Sequence, residues 1–553
     1  MDTGVFLIIG CVLFAIAYIF YGGYLTRRLK LSRDRQTPAH VMNDGLDYCP
    51  ARRPVLMGHH FASIAGAGPI VGPVFAAAFG WLPVLLWIII GSIFFGAVHD
   101  FTSLVASVRH RGKSIGEVIE SYIGLRGKRL FLIFSWSALI LVIAVFAIVV
   151  AQTFVKYPQA GTASIGFVIL AIAFGFIVYR KRAPLAVTSI AGVCLLFLCI
   201  YLGILFPLEL PYSSWIAILF LYIFIASVTP VWILLQPRDY LNSFLLYLLI
   251  IFSFIGILIA RPEAHFPALT SFHTELGYLF PIVFVTVACG AISGFHCLVA
   301  SGTTAKQLDR ESDAKPVGYG SMLIEGVLAI IALIAAIVLT REGYAAFFEK
   351  GGGGPISLFA NGVGGFISAL GVPESFGVTF TALALSAFAL TSLDTCTRLA
   401  RFAFQEFFED RDKEQSRLLS RNRFVGTAVT IAAALLLTVS GEAMQIWPIF
   451  GSANQLLAAL ALLAVSVWLA RKGTGNLFVL VPMYFMFVVT LSSLVILFYS
   501  HASALISGDF SFGHLSLAIL SLILTAVAAI LFTESRRGLS VTAEVKAGET
   551  LKV

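Results

Sequence analysis

Gly66, Ala67, Gly68, Pro69 and Gly72, in the run GAGPIVGP, stand inside a hydrophobic stretch long enough to cross a bilayer. Gly and Pro break helices, and lipid offers no partner for the N–H and C=O groups that a break frees. Such groups persist at membrane depth only against protein, water or a ligand, so the run marks a candidate solute site. A half-helix starting near Pro69 would aim its N-terminal N–H groups and partial positive charge at a carboxylate. The alternative is a kinked packing seam, since small residues are common where membrane helices touch. A second cluster, SVTPVWILLQP at residues 227–237, adds the Thr229 hydroxyl, Pro230 as disruptor, and Trp232 as an apolar wall, a gate, or simple packing.

The segment ACGAISGFHCLVASGTT, residues 288–304, is rich in small and hydroxyl side chains and carries His296. An ionisable group inside a membrane span is costly and becomes a functional candidate, and histidine can hold or pass a proton near neutral pH. A neutral histidine bonded between helices is the competing reading. Ser293, one turn earlier, could help coordinate a cation or bond back to its own backbone. Asp100 has no obvious partner within its helix, and His99 is expected to point about 100° away around the axis, which argues against a dyad. Asp100 is therefore the first choice for a proton-linked carboxylate, against snorkelling or a partner on another helix; Glu325 shares that ambiguity. Asp394 is a further coupling candidate, but Arg398 follows at the spacing of a helical ion pair, so a structural pair competes. His59 and His60 lie toward the inner end of their helix, where an interfacial position is expected.

What must position these groups is a bundle of membrane helices. Of 553 residues, 59% are hydrophobic and only 12% charged, with a mean hydropathy of +0.94, against about 25% charged in soluble proteins. The net charge of +8 comes from basic clusters between apolar runs, where they set topology rather than bind nucleic acid. Seven cysteines show neither CxxC nor Cys/His metal spacing, so no disulfide, metal or cofactor is expected. The first apolar run, residues 5–24, has an acidic residue ahead of it and reads as a membrane helix rather than a signal peptide. No GxxxxGK[ST] loop is present, so coupling to an ion gradient is expected rather than ATP.

At about 20 apolar residues per crossing, roughly fifteen helices are expected. They lie near residues 5–24, 55–78, 82–108, 130–151, 164–179, 184–205, 215–235, 240–260, 278–304, 317–339, 376–396, 425–439, 444–469, 477–499 and 515–532. With the N-terminus outside and the C-terminus inside, only Lys156, Arg261, Arg341 and Lys350 fall on outer connections, as the positive-inside rule requires. Five helices within residues 55–206 and five within 214–399 start from opposite faces, and the first of each set carries a break. The fold class is thus all-α and polytopic, with an inverted five-plus-five repeat and discontinuous helices meeting near the midplane. An extra helix lies within residues 1–30, C-terminal helices within 422–533, and a cytoplasmic tail at 534–553. The stretch SIGEVIESYIG, residues 114–124, is expected to lie along the inner surface.

The blocks GHHFASIAGAGPIVGP, GAVHDF, PVWILLQPRDYL, CGAISGFHCLVASGTTAKQL, SLDTCTRLARFAFQE and WPIFGSANQLLAAL, spread from about His59 to Leu460, resemble the carbon-starvation protein A (CstA) family. The resemblance implies a prokaryotic inner-membrane uptake system for short peptides or for pyruvate with proton symport. It also implies kinship to the amino acid-polyamine-cation superfamily with its LeuT-type repeat. The expected mechanism is alternating access, with a small carboxylate-bearing solute held where the two breaks face each other and Ser293 and His296 at its border. A proton, or alternatively sodium, would drive it through His296 or Asp100. A nutrient sensor that binds without transporting is the rival reading; no catalytic residues are assigned, because the dispersed His and Asp residues suggest no nucleophile and base.

Overall fold

The computed structural model describes residues 2–45, 47–181, 183–231, 233–349, 352–409, 417–440, 443–508 and 511–550; Trp232 lies outside them. The chain folds mainly as helices, a form in which a long apolar run satisfies all its backbone groups within the segment. The short strands His273–Thr274 and Gly277–Tyr278 pair as a small antiparallel ribbon. Among the described residues, eleven helices are long and apolar enough to span a membrane, and a further pair, Arg53–Ile64 and Gly68–Phe79, meets at a 42° bend. Tyr212–Val228 and Arg423–Val439 are shorter apolar helices. All seven cysteines are free.

The Leu125–Lys156 and Glu374–Phe407 helices pack along each other through the middle of the bundle. Around that pair the first break forms where expected: the Arg53–Ile64 helix stops, and Pro69 sits in the first turn of Gly68–Ala76, where its missing N–H costs nothing. Outside the spans, Ser114 caps the helix Ile115–Ile123 by accepting from the Glu117 N–H at 3.2 Å. Burial works against the Glu117 carboxylate, but hydrogen bonds from Lys113 and Lys128 outweigh it and hold its pKa below the usual value.

Two expectations about the elements are corrected. The span expected at 278–304 is itself discontinuous, with helices Leu279–Thr286 and Gly294–Val299 separated by a non-helical turn at 287–293. The span expected at 215–235 ends at Val228, and a new helix, Leu235–Ala260, begins with Pro237 in its first turn. Pro230 and Pro237 therefore bracket a connection between two helices rather than a break within one. The last helix, Phe512–Thr550, continues beyond the expected span at 515–532.

Candidate functional site

Among the described residues, the nearest neighbours of the glycines in the first break do not come from the 227–237 cluster. The break faces the turn at 287–293, and the approach is backbone-close. A Cβ on Gly68 would stand 2.4 Å from Cys289 Sγ, and one on Gly72 2.4 Å from the Thr286 carbonyl oxygen. Only glycine permits that contact. On its other side, a Cβ on Gly66 would meet Ser392 Oγ at 2.5 Å and Phe146 Cε2 at 2.8 Å. Gly66, Ala67, Gly68, Pro69 and Gly72 are all buried. The small side chains at Ala288, Gly290 and Ala291 let two interrupted helices cross where bulkier residues would hold them apart.

The freed backbone groups are largely answered by side chains from other helices. Ser392 Oγ donates to the Ser63 carbonyl at 3.2 Å, and Ser92 Oγ to that of Gly290 at 3.0 Å. Asn454 Oδ1 accepts the Phe295 N–H at 2.8 Å while its Nδ2 donates to Ser293 Oγ at 3.0 Å. Gln455 Nε2 donates to the Phe284 carbonyl at 2.6 Å, so adjacent residues of one helix hold both halves of the second broken span. The N–H groups of Ala67 and Gly68, which open the half-helix Gly68–Ala76, make no hydrogen bond among the described residues. Asn454→Ala is expected to destabilise the fold by about 1–3 kcal/mol, because it strands the buried Phe295 N–H and Ser293 hydroxyl. Thermal unfolding of purified protein would measure it; an unchanged midpoint would contradict this role for Asn454.

Beside the crossing lies a fully buried ionisable cluster. Asp100 Oδ1 is 2.8 Å from His99 Nδ1, and its Oδ2 is 2.9 Å from His296 Nδ1. His296 Nε2 lies 3.5 Å from Glu325 Oε2, and neither atom has a hydrogen-bond partner among the described residues. Asp100, His296 and Glu325 thus come together as the sequence could only suggest singly. The expected separation of His99 from Asp100 is corrected, since neighbouring side chains can curl toward each other even when their Cβ vectors diverge. Each of the three elements carries a π-helical stretch close to its cluster residue: Ser92–Gly96, Ala300–Thr304 and Lys315–Gly320. An extra residue in a turn rotates everything after it around the axis, and such turns concentrate at functional sites.

The remaining candidates lie elsewhere. Thr229 Oγ1 donates to its own helix at Ile225 O, 2.7 Å away, and the Thr229 carbonyl accepts from Arg398. Ser293 belongs to the crossing. Asp394 does not pair with Arg398. Its partners are Arg238 and the Tyr222 hydroxyl, the latter donating at 2.6 Å, while Arg398 also reaches the Ala226 carbonyl at 3.0 Å. A partner on another helix can approach end-on, whereas Arg398 is drawn to the unpaired carbonyls at the C-terminus of Tyr212–Val228. His59 and His60 are not interfacial: both are fully buried, bonded at 2.9 Å to Asp239 and Thr304 respectively. Sequence reading passed over Arg238, Asp239, Asn454 and Gln455. Adjacent opposite charges inside an apolar run were the visible signal for the first two; for the amides, only their place within a quoted block.

Two cavities approach the crossing from opposite ends. One, of about 650 Å³, opens among Lys113, Glu117, Lys128 and Lys306 and reaches Leu298 and Gly302 on the second broken span. The other, of about 1490 Å³, opens among Lys156, Tyr212 and Glu349 and reaches Val71, Phe75 and Trp447. Behind this larger cavity, ring centroids step from Phe75 to Trp447 (5.9 Å), Phe450 (5.2 Å) and Phe146 (6.0 Å), an aromatic partition ending at Gly66.

The sequence matches the family described as "Carbon starvation protein CstA" over residues 3–352 and 348–493. It is 36% identical to the peptide transporter CstA of Bacillus subtilis, over 86% of this chain and 87% of that protein. It is 33% identical to the peptide transporter CstA of Campylobacter jejuni, over 88% of this chain and 79% of the relative. The pyruvate/proton symporter BtsT of Escherichia coli is 32% identical over 83% of this chain and 76% of its own length. Among solved structures, the fold resembles a manganese transporter of Eremococcus coleocola, with a TM-score of 0.51 and 12% identity over 90% of this chain and 99% of that one. That likeness concerns the fold alone, a LeuT-like arrangement of helices.

Proposed function

The chain belongs to the carbon starvation protein CstA family, and from that membership we propose that this multi-pass membrane transporter is a proton-coupled carrier for a small carboxylate-bearing nutrient, a short peptide or pyruvate. It works by alternating access in the prokaryotic inner membrane and serves nutrient uptake in carbon starvation. Gly66, Ala67, Gly68, Pro69, Gly72 and Ser293 border the solute, whose carboxylate lies against the open N–H groups of the half-helix Gly68–Ala76. The two cavities are the alternating routes, with the aromatic partition closing the outer one. The N-terminus lies outside, the C-terminus inside, with fifteen crossings, and a second repeat beginning at the Leu279 helix is supported by the contact between the two broken spans.

One observation carries the coupling. Asp100 can accept from both imidazoles, each through an Nδ1–H, which leaves His296 Nε2 3.5 Å from Glu325 Oε2, both buried and without a hydrogen-bond partner among the described residues. Acceptors face one another in a buried site only if a hydrogen stands between them. The cluster therefore has a place for one exchangeable proton, on His296 or on Glu325. Binding or losing it changes the charge beside the solute site, which ties proton occupancy to the conformations of the two broken spans.

The test is uptake into proteoliposomes of labelled pyruvate and labelled dialanine under imposed proton or sodium gradients. Accumulation of either solute with an inward proton gradient is expected. Accumulation driven only by sodium, or binding without accumulation, would overturn the proton-carrier reading in favour of a sodium carrier or a sensor.

A further inference from the structure

A second buried ionic assembly stands apart from the Asp100 cluster. Arg238, 1% exposed, bonds Asp394 and the Tyr222 hydroxyl through one terminal nitrogen and Asp239 Oδ1, at 3.2 Å, through the other. Asp239 Oδ2 is 2.9 Å from His59 Nδ1 and accepts from Ser63 Oγ at 3.4 Å. Four helices meet here: Arg53–Ile64 with His59 and Ser63, Tyr212–Val228 with Tyr222, Leu235–Ala260 with Arg238 and Asp239, and Glu374–Phe407 with Asp394. The other charged or titratable groups facing the assembly are Arg398, turned to the Ala226 and Thr229 carbonyls, and His60, bonded to Thr304.

In direct contact, one guanidinium serves two carboxylates, both fully buried. Asp394 has Arg238 and Tyr222; Asp239 shares Arg238 and otherwise has only His59 and the longer bond from the Ser63 hydroxyl. With Nδ1–H donating to Asp239, His59 Nε2 is a bare, basic nitrogen, fully buried and without a partner among the described residues, as is Asp394 Oδ1. An unpaired carboxylate in that setting is costly, and a proton taken up on His59 Nε2 converts the pair to imidazolium and carboxylate.

We propose that His59, Asp239, Arg238 and Asp394 form a second proton-binding site, separate from the Asp100 cluster, whose proton resides on His59 and tightens the hold of the first half-helix on the helices carrying Arg238 and Asp394. The incoming proton adds one positive charge and breaks no bond. Its departure leaves Asp239 with Arg238 and two uncharged donors, the His59 Nδ1–H and the Ser63 hydroxyl, so the hold on the Arg53–Ile64 half-helix weakens and that half-helix is freer to move. This inference rests on the proton-carrier reading and implies that more than one proton accompanies each solute molecule.

The experiment is the proton-to-solute ratio, from reversal of labelled pyruvate or dialanine flux against opposed pH gradients. The wild-type protein is expected to move more than one proton per solute; a ratio of one overturns the second site. His59→Asn keeps an N–H donor for Asp239 but cannot take a proton, and is expected to transport with the ratio lowered by one; an unchanged ratio overturns the proposal. A readout without transport separates this from the first reading: maleimide labelling of the buried Cys396, two residues from Asp394, followed by mass spectrometry across pH. Wild type is expected to show a pH step that His296→Asn retains and His59→Asn loses. The same step in His59→Asn overturns the proposal, and if His59→Asn does not fold, Asp239→Asn takes its place with the same expectation. Failure of any gradient to drive wild-type uptake would instead strike the proton-carrier reading.

Discussion

Asp100→Asn is expected to abolish accumulation driven by a pH gradient, lowering it about 100-fold, while the protein still folds. The carboxylate is the shared acceptor of His99 and His296, at 2.8 and 2.9 Å. Asparagine keeps its size but offers one carbonyl oxygen where two imidazole donors arrive, and its amide N–H groups would confront one of them. Hydrogen bonds to a charged partner are worth about 1.5–3 kcal/mol each, and every 1.4 kcal/mol shifts an equilibrium about tenfold. Losing the anchor of His296 therefore removes the preference of its far nitrogen for the proton. Proton-driven uptake and solute exchange without a gradient should be measured side by side. Loss of the first with retention of the second is expected; intact proton-driven uptake would remove Asp100 from coupling.

Gly72→Val is expected to be the most damaging change at the crossing. A Cβ there would lie 2.4 Å from the Thr286 carbonyl oxygen and 3.3 Å from Val287 Cα, both backbone atoms that no rotamer change can move. Overpacking of a tight interior costs about 1–3 kcal/mol, and here the strain falls on the contact between the two broken spans. Uptake should fall at least tenfold and the unfolding temperature should drop. Gly365→Ala is the control, because nothing lies within 4 Å of its missing Cβ. Equal behaviour of the two variants would mean that the crossing tolerates separation.

Much of this site was legible residue by residue. GAGP in an apolar run announces an interruption, and the helix breaks there because Gly and Pro act through local backbone geometry. His296, Asp100 and Glu325 were visible as ionisable groups in spans, a signal that needs only hydropathy. Their meeting was not, because the π-helical stretches ahead of Asp100 and Glu325, which turn those residues about their helix axes, leave no simple pattern in the sequence. The second break was misplaced for a related reason. Pro230 and Pro237 look like a mid-helix disruption, but where a helix ends depends on its neighbours, whereas Ala288–Ser293 unwinds without a proline because Asn454 and Gln455 satisfy what it frees. The Asp394–Arg398 spacing was equally deceptive. A helical ion pair is a local preference worth a few tenths of a kcal/mol, and Arg238 from another helix outcompetes it.

By itself the sequence determined that this is a helical membrane protein, its family, where it resists remaining helical, and which buried side chains can carry charge. Composition, periodicity and the φ limits of Gly and Pro act over a few neighbouring residues, so they can be read in one dimension. Only the tertiary structure decided which break faces which, that Asp100 binds two histidines, and that Arg238 holds two aspartates. Those outcomes are contacts between residues distant along the chain, where competing partners differ by small energies and helix packing selects among them.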